Sequence, residues 1–155
     1  AGGQKMLEAA ANAIAQVSVP PLLIGVTVLT SLQEKDLLAM GINLSLTSLV
    51  LKRANMVKEA GLDGVVCSAQ ETVAIKKNLG KQFLTVTPGI RFQEDNKYDD
   101  QMRIMTPKKA FEAGSDYLVI GRPITQAKDP LAKLQQIRLI QLAVSESFSS
   151  TNRPY

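Results

Sequence analysis

Four short runs rich in apolar and β-branched residues punctuate the chain, at residues 22–28, 64–67, 83–87 and 117–120. Each is followed by a segment with helical spacing, and glycines at 41, 61, 80 and 114 close those segments. A leading helix is expected over residues 4–17, where Met6, Leu7, Ala10, Ala13, Ile14 and Val17 recur near the helical period. Gly2-Gly3 forms the turn into it, and Pro20-Pro21 stops any continuation. Further helices are expected over 32–40, from a cap at Thr47 or Ser48 to Ala60, and over 69–79. Two more are expected from Thr106-Pro107 to Gly114 and from Pro130 to about Val144, with 145–155 as a polar tail. Strand and helix alternating at this density imply an α/β fold with a parallel sheet and right-handed crossovers. Two architectures satisfy that pattern: an open doubly wound sheet, and half of a (β/α)8 barrel, whose full length is about 250 residues.

Composition narrows the chemistry. The 155 residues are 45% hydrophobic and 21% charged, a globular balance, and no apolar run approaches the ~20 residues of a membrane span. No basic segment precedes an apolar signal core, which points away from secretion. The single Cys cannot close an intrachain disulfide, so a reducing, cytoplasmic location is expected. Histidine is absent, which removes imidazole bases, Ser-His triads and His-ligated metals together. The net charge of +4 is spread along the chain without a basic block, and there is no Trp. A small anionic ligand suits that bias better than nucleic acid. The chain opens on Ala1-Gly2-Gly3 and enters a helix at once, so it reads as the continuation of something longer.

In either architecture the site lies beyond the carboxyl ends of the strands. Those ends are Thr27-Val28-Leu29-Thr30-Ser31, Cys67-Ser68, Thr87-Pro88-Gly89-Ile90-Arg91 and Gly121-Arg122-Pro123. The last is the most telling. Glycine lets backbone amides approach an anion, and Arg122 can grip two phosphate oxygens with one planar fork. Alone, so short a motif is equally a tight turn with a solvated arginine. Residues 91–103 are polar, with acids at 94, 95, 99 and 100, and are expected to form a surface loop serving as a lid.

The stretches 62–71, Val86-Thr87-Pro88-Gly89-Ile90-Arg91, Arg103-Ile104-Met105-Thr106-Pro107 and 113–125 fall in order, preceded by Val26-Thr27-Val28-Leu29-Thr30-Ser31. Together they resemble the bacterial orotidine 5′-monophosphate decarboxylases, nearly throughout to about residue 140. The resemblance implies a TIM (β/α)8 barrel of the ribulose-phosphate-binding type, with residues 1–144 supplying strands five to eight. It implies a homodimer without cofactor that converts orotidine monophosphate to uridine monophosphate and carbon dioxide. By the same resemblance Gly121 and Arg122 hold the substrate's phosphate, and Gln101 reaches from the phosphate-side loop to the pyrimidine. Arg91 is a substrate contact at the loop's root, Thr30 offers a hydroxyl near the pyrimidine, and Pro88 packs on the base. The interval from Arg91 to Gln101 is one residue longer than the usual bacterial pattern. In the family it resembles, an Asp-x-Lys-x-x-Asp motif at the third strand does the proton chemistry, so the resemblance implies no catalytic residue in this chain.

A similar spacing occurs at Asp95, Lys97 and Asp100, but in a polar loop, where solvent would screen it. Preorganised charge needs a dry, rigid setting, so this match is read as coincidence. Cys67 is expected to be a small core residue, Tyr117 a packing residue, and Lys35, Lys76 and Lys77 solvated. Met56, Met102 and Met105 form no cofactor pattern. Two other readings stay open: a hexulose-phosphate synthase-like enzyme of the same barrel group, and a non-catalytic fragment that needs a partner half.

Overall fold

The computed structural model describes residues 2–93 and 102–151. Helix α1 (Gly3–Ala15) leads to strand β1 (Ile24–Val26), then to helices α2 (Glu34–Ala39) and α3 (Leu46–Glu59). Strand β2 (Gly64–Val66) is followed by a 3-10 turn (Ala69–Glu71) that runs into α4 (Thr72–Leu79). Strand β3 (Leu84–Thr87), helix α5 (Pro107–Glu112), strand β4 (Tyr117–Leu118) and helices α6 (Arg122–Thr125) and α7 (Pro130–Thr151) complete the order. None of the described helices is long and apolar enough to cross a membrane.

All pairings are parallel and the spatial order is β1-β2-β3-β4. A doubly wound sheet reverses its strand order at a switch point; here the order never reverses. Right-handed crossovers running in one direction lay every helix on the same face, and that makes the sheet an arc of a (β/α)8 barrel. Register decides which side chains share a face. Gly25, Val65 and Thr85 lie in one row, with Val65 and Thr85 fully buried towards the helices. The core on that side joins Val65 to Val50, Ala54, Val57, Ile75 and Leu79. Gly64 is forced by the approach of β3: a Cβ there would stand 2.3 Å from the Leu84 carbonyl oxygen.

The opposite face carries Val26, Val66, Val86 and Tyr117 in one row, with Val119 two residues further along. Among the described residues its outer members are largely uncovered, Val26 being 58% exposed, Tyr117 51% and Val119 50%, while Val66 and Val86 are half-buried. Tyr117, expected to pack, is half exposed. The row is too apolar for a solvent face and matches the inward side of a barrel wall.

Several boundaries moved for physical reasons. The outer strands are shorter than the apolar runs that encode them: β1 keeps Ile24–Val26 and β4 only Tyr117–Leu118. Helix α3 is capped by Ser45, whose hydroxyl accepts the Ser48 amide at 3.2 Å, two residues before the expected start. Thr106 does cap α5, accepting from the Lys109 amide, with Pro107 following it. Gly121-Arg122-Pro123 is the entrance to short helix α6 and not a bare turn. The polar tail expected from Ser145 is helical through Thr151. The Ser145 and Ser147 hydroxyls donate back to the Gln141 and Val144 carbonyls at 2.9 and 2.7 Å, bonds made within the helix.

The amino-terminal end of the sheet is tied by two aspartates, each two residues after a helix-ending glycine. Asp63 accepts the Leu23 amide at 2.7 Å. Asp116 accepts the Thr85 amide at 2.7 Å and the Thr85 hydroxyl at 2.9 Å, and pairs with Lys76 at 2.6 Å. Lys76 is consequently not solvated as expected; its ammonium also donates to the carbonyls of Lys81 and Phe83. Lys35 and Lys77 are exposed. Asp116→Ala is expected to lower unfolding stability by about 2–4 kcal/mol in urea titrations, because the Thr85 amide and the Lys76 charge lose their partner together. Removing Glu112 from its exposed pair with Lys108 is expected to change it by less than about 0.5 kcal/mol.

Candidate functional site

A cavity of about 430 Å³ opens at the carboxyl ends of the strands, where the loops meet the top of the bare sheet face. Its walls include Thr30, Pro88, Arg91, Gly121 and Arg122, with Val26, Val66 and Val119 as its apolar floor. Five of the six residues singled out from the sequence thus meet in one hollow, although 92 positions separate the first from the last. The sixth, Gln101, lies outside the described residues, as does the match at Asp95, Lys97 and Asp100.

Each wall residue is held by its own element. Thr30 is buried in the loop after β1. Pro88 and Gly89 follow β3 directly, and Gly89 has φ +76° with room for nothing larger. A Cβ there would stand 2.9 Å from the Arg103 carbonyl oxygen and 3.7 Å from Thr30. Residues 103–105 return beside 89–91: the Met105 amide donates to Gly89 at 3.1 Å and the Arg91 amide to Met105 at 3.0 Å. Arg91 is therefore fixed at its backbone and buried along its side chain, with Nη1 donating to the Ile90 carbonyl at 2.8 Å. It also walls a smaller cavity of about 220 Å³ shared with Phe92, Thr106 and Lys109.

Gly121 differs from Gly89. A Cβ on it would meet nothing within 4 Å among the described residues, so none of them demands a glycine there. Its carbonyl accepts the amides of Ile124 and Thr125 at 2.9 and 3.0 Å, which anchors α6. Arg122 begins that helix and stands exposed beside the cavity. Two guanidinium groups with no carboxylate among the described wall residues make the hollow favourable to an anion.

Nucleophilic chemistry is not available from the neighbouring thiol. Cys67 is buried, and desolvation pushes its pKa up to about 12 against the lowering effects of a hydrogen bond with Thr72 and the charge of Arg103. As expected, it is a core residue. Among the described residues no group of three His, Cys, Asp or Glu is placed to hold a metal ion.

Sequence reasoning missed one part of this region. Glu71 and Arg103 form a buried ion pair beneath the cavity, with side chains 5% and 9% exposed. The Glu71 carboxylate also accepts the Ser68 amide at 2.8 Å, while the Ser68 hydroxyl accepts the Gln70 amide at 3.3 Å. Ser68-x-x-Glu71 is a readable capping signature, but nothing local announces that its acid will meet an arginine 32 residues later. Burial lowers the Arg103 pKa from its ordinary value, yet a guanidinium stays charged throughout the physiological range.

Comparison with known proteins gives a consistent picture. The family model described as "Orotidine 5'-phosphate decarboxylase / HUMPS family" matches residues 1–137. An orotidine 5′-phosphate decarboxylase of Neisseria meningitidis serogroup C is 51% identical over 139 residues, covering 90% of this chain and 56% of the relative. One from Coxiella burnetii is 53% identical over 138 residues, covering 88% and 58%. The crystal structure of orotidine 5′-phosphate decarboxylase from Lactobacillus acidophilus aligns with TM-score 0.73 at 37% identity, over 90% of this chain and 59% of that one. An uncharacterized conserved protein from Geobacillus kaustophilus aligns with TM-score 0.73 at 38% identity, over 90% and 60%. The chain spans little more than half the length of the relatives it matches.

Proposed function

Because the chain belongs to the orotidine 5′-phosphate decarboxylase / HUMPS family, we propose that it forms the phosphate- and pyrimidine-holding part of an orotidine monophosphate decarboxylase. The observation that carries this reading is the convergence of Thr30, Pro88, Arg91, Gly121 and Arg122 on one anion-favouring cavity. Gly121 and Arg122 take the phosphate, the glycine by leaving room for close approach and the arginine by its two-pronged donor set. The apolar floor and Pro88 receive the flat base, and Thr30 supplies a hydroxyl beside it. Residues 1–144 act as strands five to eight with their helices, and the Lys and Asp that move the proton come from the complementary strands one to four. The working enzyme is a cytoplasmic homodimer.

This division is physically coherent. Phosphate lies far from the bond that breaks, so its binding energy can be used to orient the substrate and to exclude water around the departing carboxylate. Charges in that drier site then act more strongly than they would in water.

The test joins this chain to the part of the Neisseria meningitidis relative that it does not match. Uridine monophosphate at a hundredfold excess over its Kd is expected to stabilise the assembled barrel by about 2.7 kcal/mol, a rise in Tm of roughly 5–10 °C. Decarboxylase turnover should appear on assembly and be absent from the chain alone. Equal affinity for uridine monophosphate and ribose 5-phosphate would overturn the reading in favour of a sugar-phosphate enzyme.

A further inference from the structure

The buried Glu71–Arg103 pair touches three loops that shape the cavity, yet neither residue lines it. Arg103 Nη2 donates to the Leu29 carbonyl at 2.8 Å and to the Val28 carbonyl at 3.2 Å. Its backbone amide donates to the Thr30 carbonyl at 3.3 Å, so one residue holds three consecutive carbonyls of the loop after β1. Its own carbonyl accepts the Ser68 hydroxyl at 3.4 Å and lies against Gly89. Glu71 fixes the guanidinium from the loop after β2 and is itself fixed by the Ser68 amide. The contacts of Arg103 thus fall on the loops after the first three strands, whereas Gly121 and Arg122 belong to the fourth.

Stability alone does not account for this arrangement. A buried ion pair is often no more stabilising than apolar residues of the same size, and here the Arg103 Nε is buried without a hydrogen-bond partner among the described residues. What the pair does supply is geometry. A loop held at three successive carbonyls presents its Thr30 side chain in one place, with little freedom to drift from it.

We propose that Arg103, oriented by Glu71, is a positioning residue for the base-binding end of the cavity, acting through Thr30 and leaving the phosphate end independent. The proposal rests on the nucleotide-site reading above. It separates two ligands that share a phosphate: uridine monophosphate, which has the base, and ribose 5-phosphate, which lacks it.

In the assembled barrel, Arg103→Met is expected to weaken uridine monophosphate binding about tenfold by calorimetry, the size of coupling usual for groups in one network. Ribose 5-phosphate binding should stay within about twofold, which a general loosening of the fold would not allow. Thr30→Val should weaken the nucleotide in the parent protein and add little in the Arg103→Met background. If Arg103→Met does not fold, Glu71→Gln, which keeps an acceptor for the Ser68 amide but removes the charge, is put through the same comparison. Equal losses for the two ligands, or full additivity with Thr30→Val, would overturn the proposal while leaving the site reading intact. If instead Thr30→Val and Arg122→Ala both left nucleotide binding unchanged, the site reading itself would fall, and this inference with it.

Discussion

Arg122→Ala in the assembled barrel should weaken uridine monophosphate binding by about 10-fold to 150-fold, the range of a charge-assisted hydrogen bond. The size follows from where the residue stands. Arg122 opens α6 beside Gly121, over which the described residues leave space for an anion to approach, and it shares the cavity wall with Arg91. Arg122→Lys should recover only part of the loss, since an ammonium keeps the charge but not the planar fork that meets two oxygens at once. The loss should also shrink at high salt in the parent protein, where the phosphate is already screened. Titration calorimetry at two ionic strengths measures all of this. An Arg122→Ala protein that binds the nucleotide as tightly as its parent would remove the phosphate assignment, and the proposed function would go with it.

The chain expressed on its own should self-associate or precipitate, and addition of the complementary part should convert it to a discrete species. Both outer strands, β1 and β4, present unpaired ladder edges, and the inward row from Val26 to Tyr117 and Val119 is apolar and bare. Exposed edges invite strand addition, and an apolar face of this kind seeks cover. The exposed leucines of α7, at positions 131, 134, 139 and 142, add to that drive. Sedimentation velocity distinguishes the outcomes. A monodisperse monomer that melts cooperatively without its complement would contradict the assignment of residues 1–144 as half of a closed barrel.

How much of this was legible in advance depended on range. The four strands and the helices between them were announced locally, by β-branched runs, by Thr106-Pro107 at a helix start and by the glycines that end helices. Boundaries were less legible, because they depend on partners. The 22–28 run yields only Ile24–Val26 as a strand, the stretch that is in register with Gly64–Val66 of β2. Ser45 and not Thr47 or Ser48 caps α3, a choice among neighbouring hydroxyls that only the path of the chain resolves. Lys76 looked like a helix-surface lysine because its helical spacing says nothing about Asp116, 40 residues away. The polar stretch from Ser145 reads as a frayed tail, but the helix continues through Thr151, with the Ser145 and Ser147 hydroxyls donating to carbonyls of the preceding turn.

The same contrast holds at the site. Thr30, Pro88, Arg91, Gly121 and Arg122 could be named from residue type, from their place just after a strand, and from a family pattern, because each of these is written within a few positions. That they surround one hollow of about 430 Å³ is a property of sheet order and register, which bring the ends of all four strands to one side. Likewise, Glu71 and Arg103 are individually unremarkable as letters. They become a tie across three loops only when the return of residues 103–105 along residues 89–91 carries the guanidinium under Thr30. Local chemistry is encoded by neighbours along the chain, whereas burial, pairing and convergence arise from contacts between segments far apart in it, and those exist only once the sheet has formed.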